Sequence, residues 1–429
     1  ISLVSYILTK VAVTVYAGGI VFKEVFGIDE WMGIDFFWIG AIGLVLVTGL
    51  YTVLGGMRAV LYTSVLQLPI LLLGSAAILV VGLNQLGGWG ELMEITSNAT
   101  ANQYGDSMNS LMRSHRDPDF PWTGVILGSA IIGFWYWCTD QYIVQRVLSG
   151  RDQTQSRRGT IFGAYLKLLP VFIFLIPGMI AFALNQKGML ELSNPDAAFS
   201  ALVSNLLPVG LTGIVVGGLI AALMSSLASL FNSSAMLFTV DFYKRWRPNA
   251  SEKHLTHVGR IATTVIVILG ILWIPVMRSM GQVLYEYLQD VQSLLAPGIA
   301  SVFLLGVFWK RATPAAGFAG LVSGFVLGMT RLASNVFERF LDPDTLYYAI
   351  FVDINWLHYS IYLFFLCIVI VVVVSMFTKP IAPERLTSIT YGAESEAEKK
   401  ETRQSWNHWD VINTLIIIGI TVAFYIYFW

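Results

Sequence analysis

The 429-residue chain is short of charge: Asp, Glu, Lys and Arg make up only 12% of it, about half of the roughly 25% in an ordinary soluble domain. That shortage excludes a water-soluble globular enzyme. Neither sign is in excess, since 26 Lys and Arg against 27 Asp and Glu leave a net charge of -1, so no nucleic-acid surface is indicated. Cysteine is scarce as well. Cys138 and Cys367 each lie inside an apolar run, which is neither a disulfide framework nor a zinc cluster. The five histidines (His115, His254, His257, His358 and His408) show no metal-ligand spacing, and no nucleophile–base pair is visible, so an enzyme is not expected. No cleavable leader is legible: residue 1 is Ile and opens directly into an apolar run, as expected for part of a longer chain.

What is abundant is apolar. Hydrophobic residues reach 56% and the mean hydropathy is +0.68, while 13 Trp and 18 Tyr suit aromatic belts at two membrane interfaces. A spanning helix needs about 20 apolar residues, and the chain offers about eleven such runs: 1–26, 34–57, 60–84, 122–148, 159–185, 208–243, 257–277, 281–309, 313–335, 354–377 and 411–429. The reading is one polytopic transmembrane domain over 1–429. Two longer connections, 85–121 and 378–410, separate groups of runs. The second holds a solvated charge run around Glu394–Glu401 with no core-forming pattern.

Positive charge sets the orientation. Arg113, Arg116, Lys187, Arg278, Arg331 and Arg339 fall on one set of loops; Lys10, Lys23 and Lys167 fall within runs; all other Lys and Arg fall on the alternate loops. Those alternate loops are cytoplasmic, which makes 85–121 extracellular and 378–410 a cytoplasmic linker. Small residues at fourfold spacing, Gly213 and Gly217, then Gly320, Gly324 and Gly328, predict close helix approach in lipid. Pro297-Gly298 in the eighth run and Pro170 and Pro177 in the fifth are either ordinary kinks or the helix breaks that transporters use at binding sites.

Polar groups inside the runs are candidate functional residues. Lys167 lies deep in the fifth run and Lys10 in the first; Glu286, Gln289, Asp290 and Gln292 make a polar face at the start of the eighth. Ala222, Ser225 and Ser226 put two hydroxyls beside a helix carbonyl, an arrangement open to a hard cation or to simple helix packing. The fourth run ends Trp135-Tyr136-Trp137-Cys138-Thr139-Asp140-Gln141. Sugars stack on aromatic faces while their hydroxyls seek amides and charges, and an interfacial belt has the same composition.

The string Trp135 to Arg146, with Tyr51–Gln67, Tyr165–Pro177, Leu223–Tyr243, Tyr287–Arg311 and Phe377–Pro380, resembles the sodium/glucose cotransporter branch of the sodium/solute symporter family along nearly all of the chain. The resemblance implies an all-α LeuT-type inverted-repeat bundle of fourteen helices. The eleven runs align with its last eleven, so three helices would precede residue 1. It implies sodium-coupled sugar symport at the plasma membrane, with sodium as a co-transported ion and no cofactor. Position by position, Tyr136 resembles the gate aromatic that stacks on the sugar, with Trp137 beside it. Gln289 and Lys167 resemble sugar-hydroxyl contacts, Lys10 a sugar contact of some members, and Ala222, Ser225 and Ser226 the sodium ligands. Three positions depart from the pattern. Gly133 stands where relatives carry Thr, Ser or Asn, Ser64 where many carry Asp, and Ala228 where some carry Thr; the last two point to one sodium per sugar. The alternatives are a sodium symporter of another solute, such as myo-inositol, a carboxylate or an amino acid, and a non-transporting sugar sensor.

Overall fold

The computed structural model describes the chain apart from residues 193, 280–282, 383, 385, 387–389 and 429, and describes the backbone alone at 2, 8, 51, 53–61, 63, 64, 66 and 277–279. Among the described residues, nine helices are long and apolar enough to cross a membrane: Leu3–Phe26, Gln67–Leu86, Gln153–Gln186, Val209–Trp246, Glu252–Val276, Leu284–Phe308, Pro314–Val336, Trp356–Phe377 and His408–Tyr427. The shorter apolar stretches Phe36–Leu50 and Trp122–Phe134 complete the set expected from the eleven runs.

One boundary differs. Runs 34–57 and 60–84 form a single continuous helix, Phe36–Leu86. Gly55-Gly56-Met57-Arg58 brings neither a proline nor a capping side chain, and without an alternative partner for the backbone a helix does not stop. At 1.5 Å per residue this helix is about 76 Å long. The alternation of sides from Trp122 onward does not depend on a turn there. The 378–410 linker also holds more structure than its charge run suggested. Helix Glu396–Gln404 forms there because Ser395 and Glu398 complete a capping box.

The chain divides into two compact units, one of Ile1, Ser110–Leu166 and Gln289–Trp429, the other of Ser2–Asn109 and Lys167–Leu288. In the second unit a two-residue hairpin joins the first helix to the long one: Glu30–Trp31 pairs antiparallel with Ile34–Asp35. Met32 and Gly33 both take positive φ, 53° and 78°, as a type I′ turn requires. Asp35 then caps the long helix through the Phe37 N–H at 3.1 Å, and Lys23 holds it at 3.3 Å. The core of this unit gathers Ile78, Ile176, Ile180, Leu184, Leu202 and Val215, each no more than 1% exposed.

The first unit is packed through glycine. A Cβ on Gly324 would lie 2.7 Å from the Gly298 Cα and 3.1 Å from the Cys367 Sγ, so two helices meet glycine to glycine with the Cys367 thiol of a third against them. The expectation for Gly320, Gly324 and Gly328 holds. Among the described residues it is not met at Gly213 and Gly217, which have nothing within 4 Å; Gly218 makes the contact, against Ile70. Pro297 likewise leaves Leu284–Phe308 a continuous helix, whereas in the fifth run Pro170 leads into a π-helical turn, Val171–Leu175.

Candidate functional site

The aromatic string sits on a helix defect. Helix Trp122–Phe134 widens into a π turn, Trp135–Thr139, and the chain restarts as helix Gln141–Leu148. π turns leave wide, poorly paired backbone and recur at functional sites. Here the defect is held from three directions. Thr139 Oγ1 donates to the Trp135 carbonyl at 2.8 Å. The Asp140 N–H donates to the same carbonyl at 3.1 Å. The buried Asp140 carboxylate accepts the Tyr142 N–H at 3.2 Å and so caps the restarting helix.

Trp135 anchors the turn, 2% exposed among Ile132, Ala296, Ile299, Ala300 and Leu357. Tyr136 is half-buried against that cluster and Trp137 is exposed. Their rings meet edge-to-face, 5.0 Å apart at 85°, which fixes one aromatic plane by the other. At Gly133, one turn back, an added Cβ would meet nothing nearer than the Trp137 Cδ1 at 4.0 Å, so there is room there for a small side chain.

The same unit holds Gln289, half-buried, followed by Asp290, Gln292 and Ser293, which are 3%, 5% and 0% exposed. This polar face lies two turns from Ala296, the residue that packs with Trp135, so the helices carrying Gln289 and Tyr136 share one core. Asn335 donates to the Asp290 carboxylate at 3.5 Å. Arg331 belongs with these buried groups and not on an outside loop, where its charge had placed it. It is 3% exposed, donates to the Ile354 carbonyl and lies over the Tyr359 ring, 4.3 Å from the centroid. Its apolar neighbours in the sequence conceal this, because a single cation near a run's end reads as a loop residue.

In the second unit, Lys10 lies in the π turn Tyr6–Val11, 7% exposed, with its Nζ 5.1 Å from the centre of the Tyr6 ring. Lys167 is exposed, on helix Gln153–Pro170, which buries no residue; the depth expected from its place in the run is not matched by burial. Ser225 is buried, and Ala222 and Ser226 are half-buried, on helix Val209–Met236. A ladder of hydroxyls continues below them: Ser229 donates to the Ser225 carbonyl at 3.0 Å and Ser233 to the Ser229 carbonyl at 2.8 Å. Back-bonding of this kind keeps hydroxyls satisfied inside a helix. Ala228 is fully buried, and the Ser64 side chain lies outside the described residues. Among the described residues, no group of three or more His, Cys, Asp or Glu could hold a metal ion. The candidate sodium ligands are instead neutral oxygens.

Asp196 was not singled out by sequence. It lies between helices, and both its oxygens accept the Leu284 N–H, at 3.1 and 3.2 Å, fixing the start of the helix that carries Gln289. Burial raises its carboxyl above the usual carboxylate range, and the Leu284 N–H pulls the other way.

A family profile described as "Sodium:solute symporter family" matches residues 1–324. The chain belongs to that family. Among curated members it is 38% identical to the human sodium/myo-inositol cotransporter 2, over 90% of this chain and 60% of that protein. It is 34% identical to a Bos taurus sodium/mannose cotransporter, over 100% of this chain and 76% of that one. Against the Ovis aries sodium/glucose cotransporter 1 the figures are 35%, 93% and 64%. The chain thus spans about three fifths of the length of the myo-inositol relatives it matches. These relatives are cotransporters, not enzymes. The structure of a Na+-coupled sialic acid symporter in a substrate-bound outward-open state superposes with a TM-score of 0.67 at 21% identity, over 88% of this chain and 74% of that one. That likeness gives the chain its fold class, an all-α LeuT-type bundle.

Proposed function

We propose that this symporter-family protein carries out sodium-coupled uptake of a glucose- or galactose-like monosaccharide by alternating access, with one sodium per sugar. The observation that carries the reading is within one unit: the Gln289 polar face on an otherwise apolar helix, sharing a core with the helix that presents the Tyr136–Trp137 ring pair. A sugar needs both an aromatic platform and amide partners for its hydroxyls. Within the first unit Tyr136 supplies stacking, Trp137 fixes it and Gln289 bonds hydroxyls; Lys167 and Lys10, on the second unit, are proposed separately as hydroxyl donors. Ala222 offers a carbonyl, and Ser225 and Ser226 their hydroxyls, to a single sodium. Sodium favours transport only as far as it binds the sugar-competent state better than the other.

The names of the relatives support a sodium-coupled solute of the sugar and polyol class without selecting among glucose, mannose and myo-inositol. Gly133 removes one hydroxyl partner and bears on that choice. Uptake of labelled glucose, galactose, mannose and myo-inositol by the complete protein, with and without a sodium gradient, tests the reading. Sodium-driven accumulation of a hexose supports it. Accumulation of myo-inositol alone, or none of the four, overturns it.

A further inference from the structure

We propose that the first unit carries a site for an anionic phospholipid of the cytoplasmic leaflet, in the groove between the opening turns of helix Gln153–Pro170 and the start of helix His408–Tyr427. The groove encloses about 500 Å³, within the roughly 300–1,000 Å³ that small-ligand sites occupy. Its lining is mainly apolar, with Val147, Ile161, Val411, Leu415 and the Trp406 ring, and its charged side chains are Arg157 and Asp410. The two helices are pinned beside it by Tyr165, whose hydroxyl donates to the Asn413 Oδ1 at 2.9 Å. Ser156 closes one wall by donating to the Val147 carbonyl at 2.8 Å.

The charged groups around the groove select an anion. Arg157 is exposed and pairs with no carboxylate among the described residues. Arg403 lies over the Trp406 ring at 4.1 Å, beside a second hollow that shares Trp406 and Val411 with the first. Asp410 also lines the groove, with its carboxylate accepting the Asn407 N–H at 2.8 Å as a helix cap, and its single negative charge is outnumbered by the arginines around it. Exposed Arg151, just before helix Gln153–Pro170, and Arg158, on its first turns, add positive charge nearby.

The place of the groove selects a lipid over a soluble anion. Helix His408–Tyr427 buries none of its residues although it is apolar and long enough to span, so this wall faces the bilayer along its length. Both flanking segments fall on the side that positive charge assigns to the cytoplasm, where anionic lipids attract Arg at about 1 kcal/mol per residue. An acyl chain lies along the apolar lining, the phosphate meets Arg157 and Arg403, and the Trp406 indole sits at headgroup depth.

The test is a titration of the purified complete protein with phosphatidylglycerol and with phosphatidylcholine of the same acyl chains, read by native mass spectrometry. One saturable phosphatidylglycerol site is expected, about fivefold or more tighter than phosphatidylcholine. The double variant Arg157→Gln with Arg403→Gln loses that preference, and Arg339→Gln, on an outside loop, keeps it. Leu415→Trp, which fills the groove, reduces binding of both lipids to this site. Equal binding of the two lipids, retention of the preference in the double variant, or full displacement of phosphatidylglycerol by millimolar inorganic phosphate overturns the proposal.

Discussion

Replacing Gly324 by alanine drives a methyl into a close backbone-to-backbone helix contact of the first unit. The added Cβ would sit 2.7 Å from the Gly298 Cα, 3.4 Å from the Gly298 N and 3.1 Å from the Cys367 Sγ. Two of those three atoms are backbone, so no side chain turns aside to make room and the helices must separate by a few tenths of an ångström. Overpacking of this kind costs about 1–3 kcal/mol. Alanine recovers about 0.5–1 kcal/mol over glycine in a helix interior, leaving a net loss centred near about 1 kcal/mol and at most about 2.5 kcal/mol. Gly213→Ala is the internal control. Nothing among the described residues lies within 4 Å of that position, so only the propensity gain of about 0.5–1 kcal/mol remains and the variant is neutral to stabilised. Unfolding of the two variants in mixed micelles by rising SDS fraction measures the difference. If both shift stability in the same direction by similar amounts, glycine is not what brings these helices together and the packing argument is wrong.

Three further outcomes are expected. Gln289→Ala lowers sugar affinity by roughly 1–3 kcal/mol, because a desolvated hydroxyl loses its partner, and leaves sodium affinity unchanged; isothermal binding assays with each ligand separate the two. Tyr136→Phe keeps most transport, since the ring supplies the stacking, and Tyr136→Ala loses it, as initial uptake rates would show; equal rates would make the string a belt. Asp196→Ala removes the carboxylate that holds the Leu284 N–H and costs about 1 kcal/mol of stability, measured by the same SDS titration, with the Asn variant recovering part of it.

The helices were legible because lipid demands continuous apolar runs, and nearly every run became one helix. Their boundaries were less so. The expected turn at Arg58 needed a capping residue or proline that the segment lacks, whereas Ser395-Glu396-Ala397-Glu398 contains a capping box that the surrounding charge run obscured. Glycine spacing alone did not separate Gly324, which touches a neighbour, from Gly213, which does not, because spacing says nothing of what stands opposite. For the candidate site, the polar residues of the eighth run and the aromatic string were visible as types out of place. Their support was not. Arg331 reaches Ile354 and Asp196 reaches Leu284 across distances in sequence that no local pattern records, and the exposure of Lys167 follows from how its helix packs.

The ratio of sodium to sugar tests the account most directly, because it draws on Ser225, Ser226, Ser64 and Ala228 together. Reversal potentials of the complete protein in proteoliposomes, taken at several sodium and sugar gradients, give that ratio. A value of one, with sodium dependence weakened in both Ser225→Ala and Ser226→Ala, is the predicted result. A value of two, or sugar flux indifferent to the sodium gradient and to both serines, would contradict it.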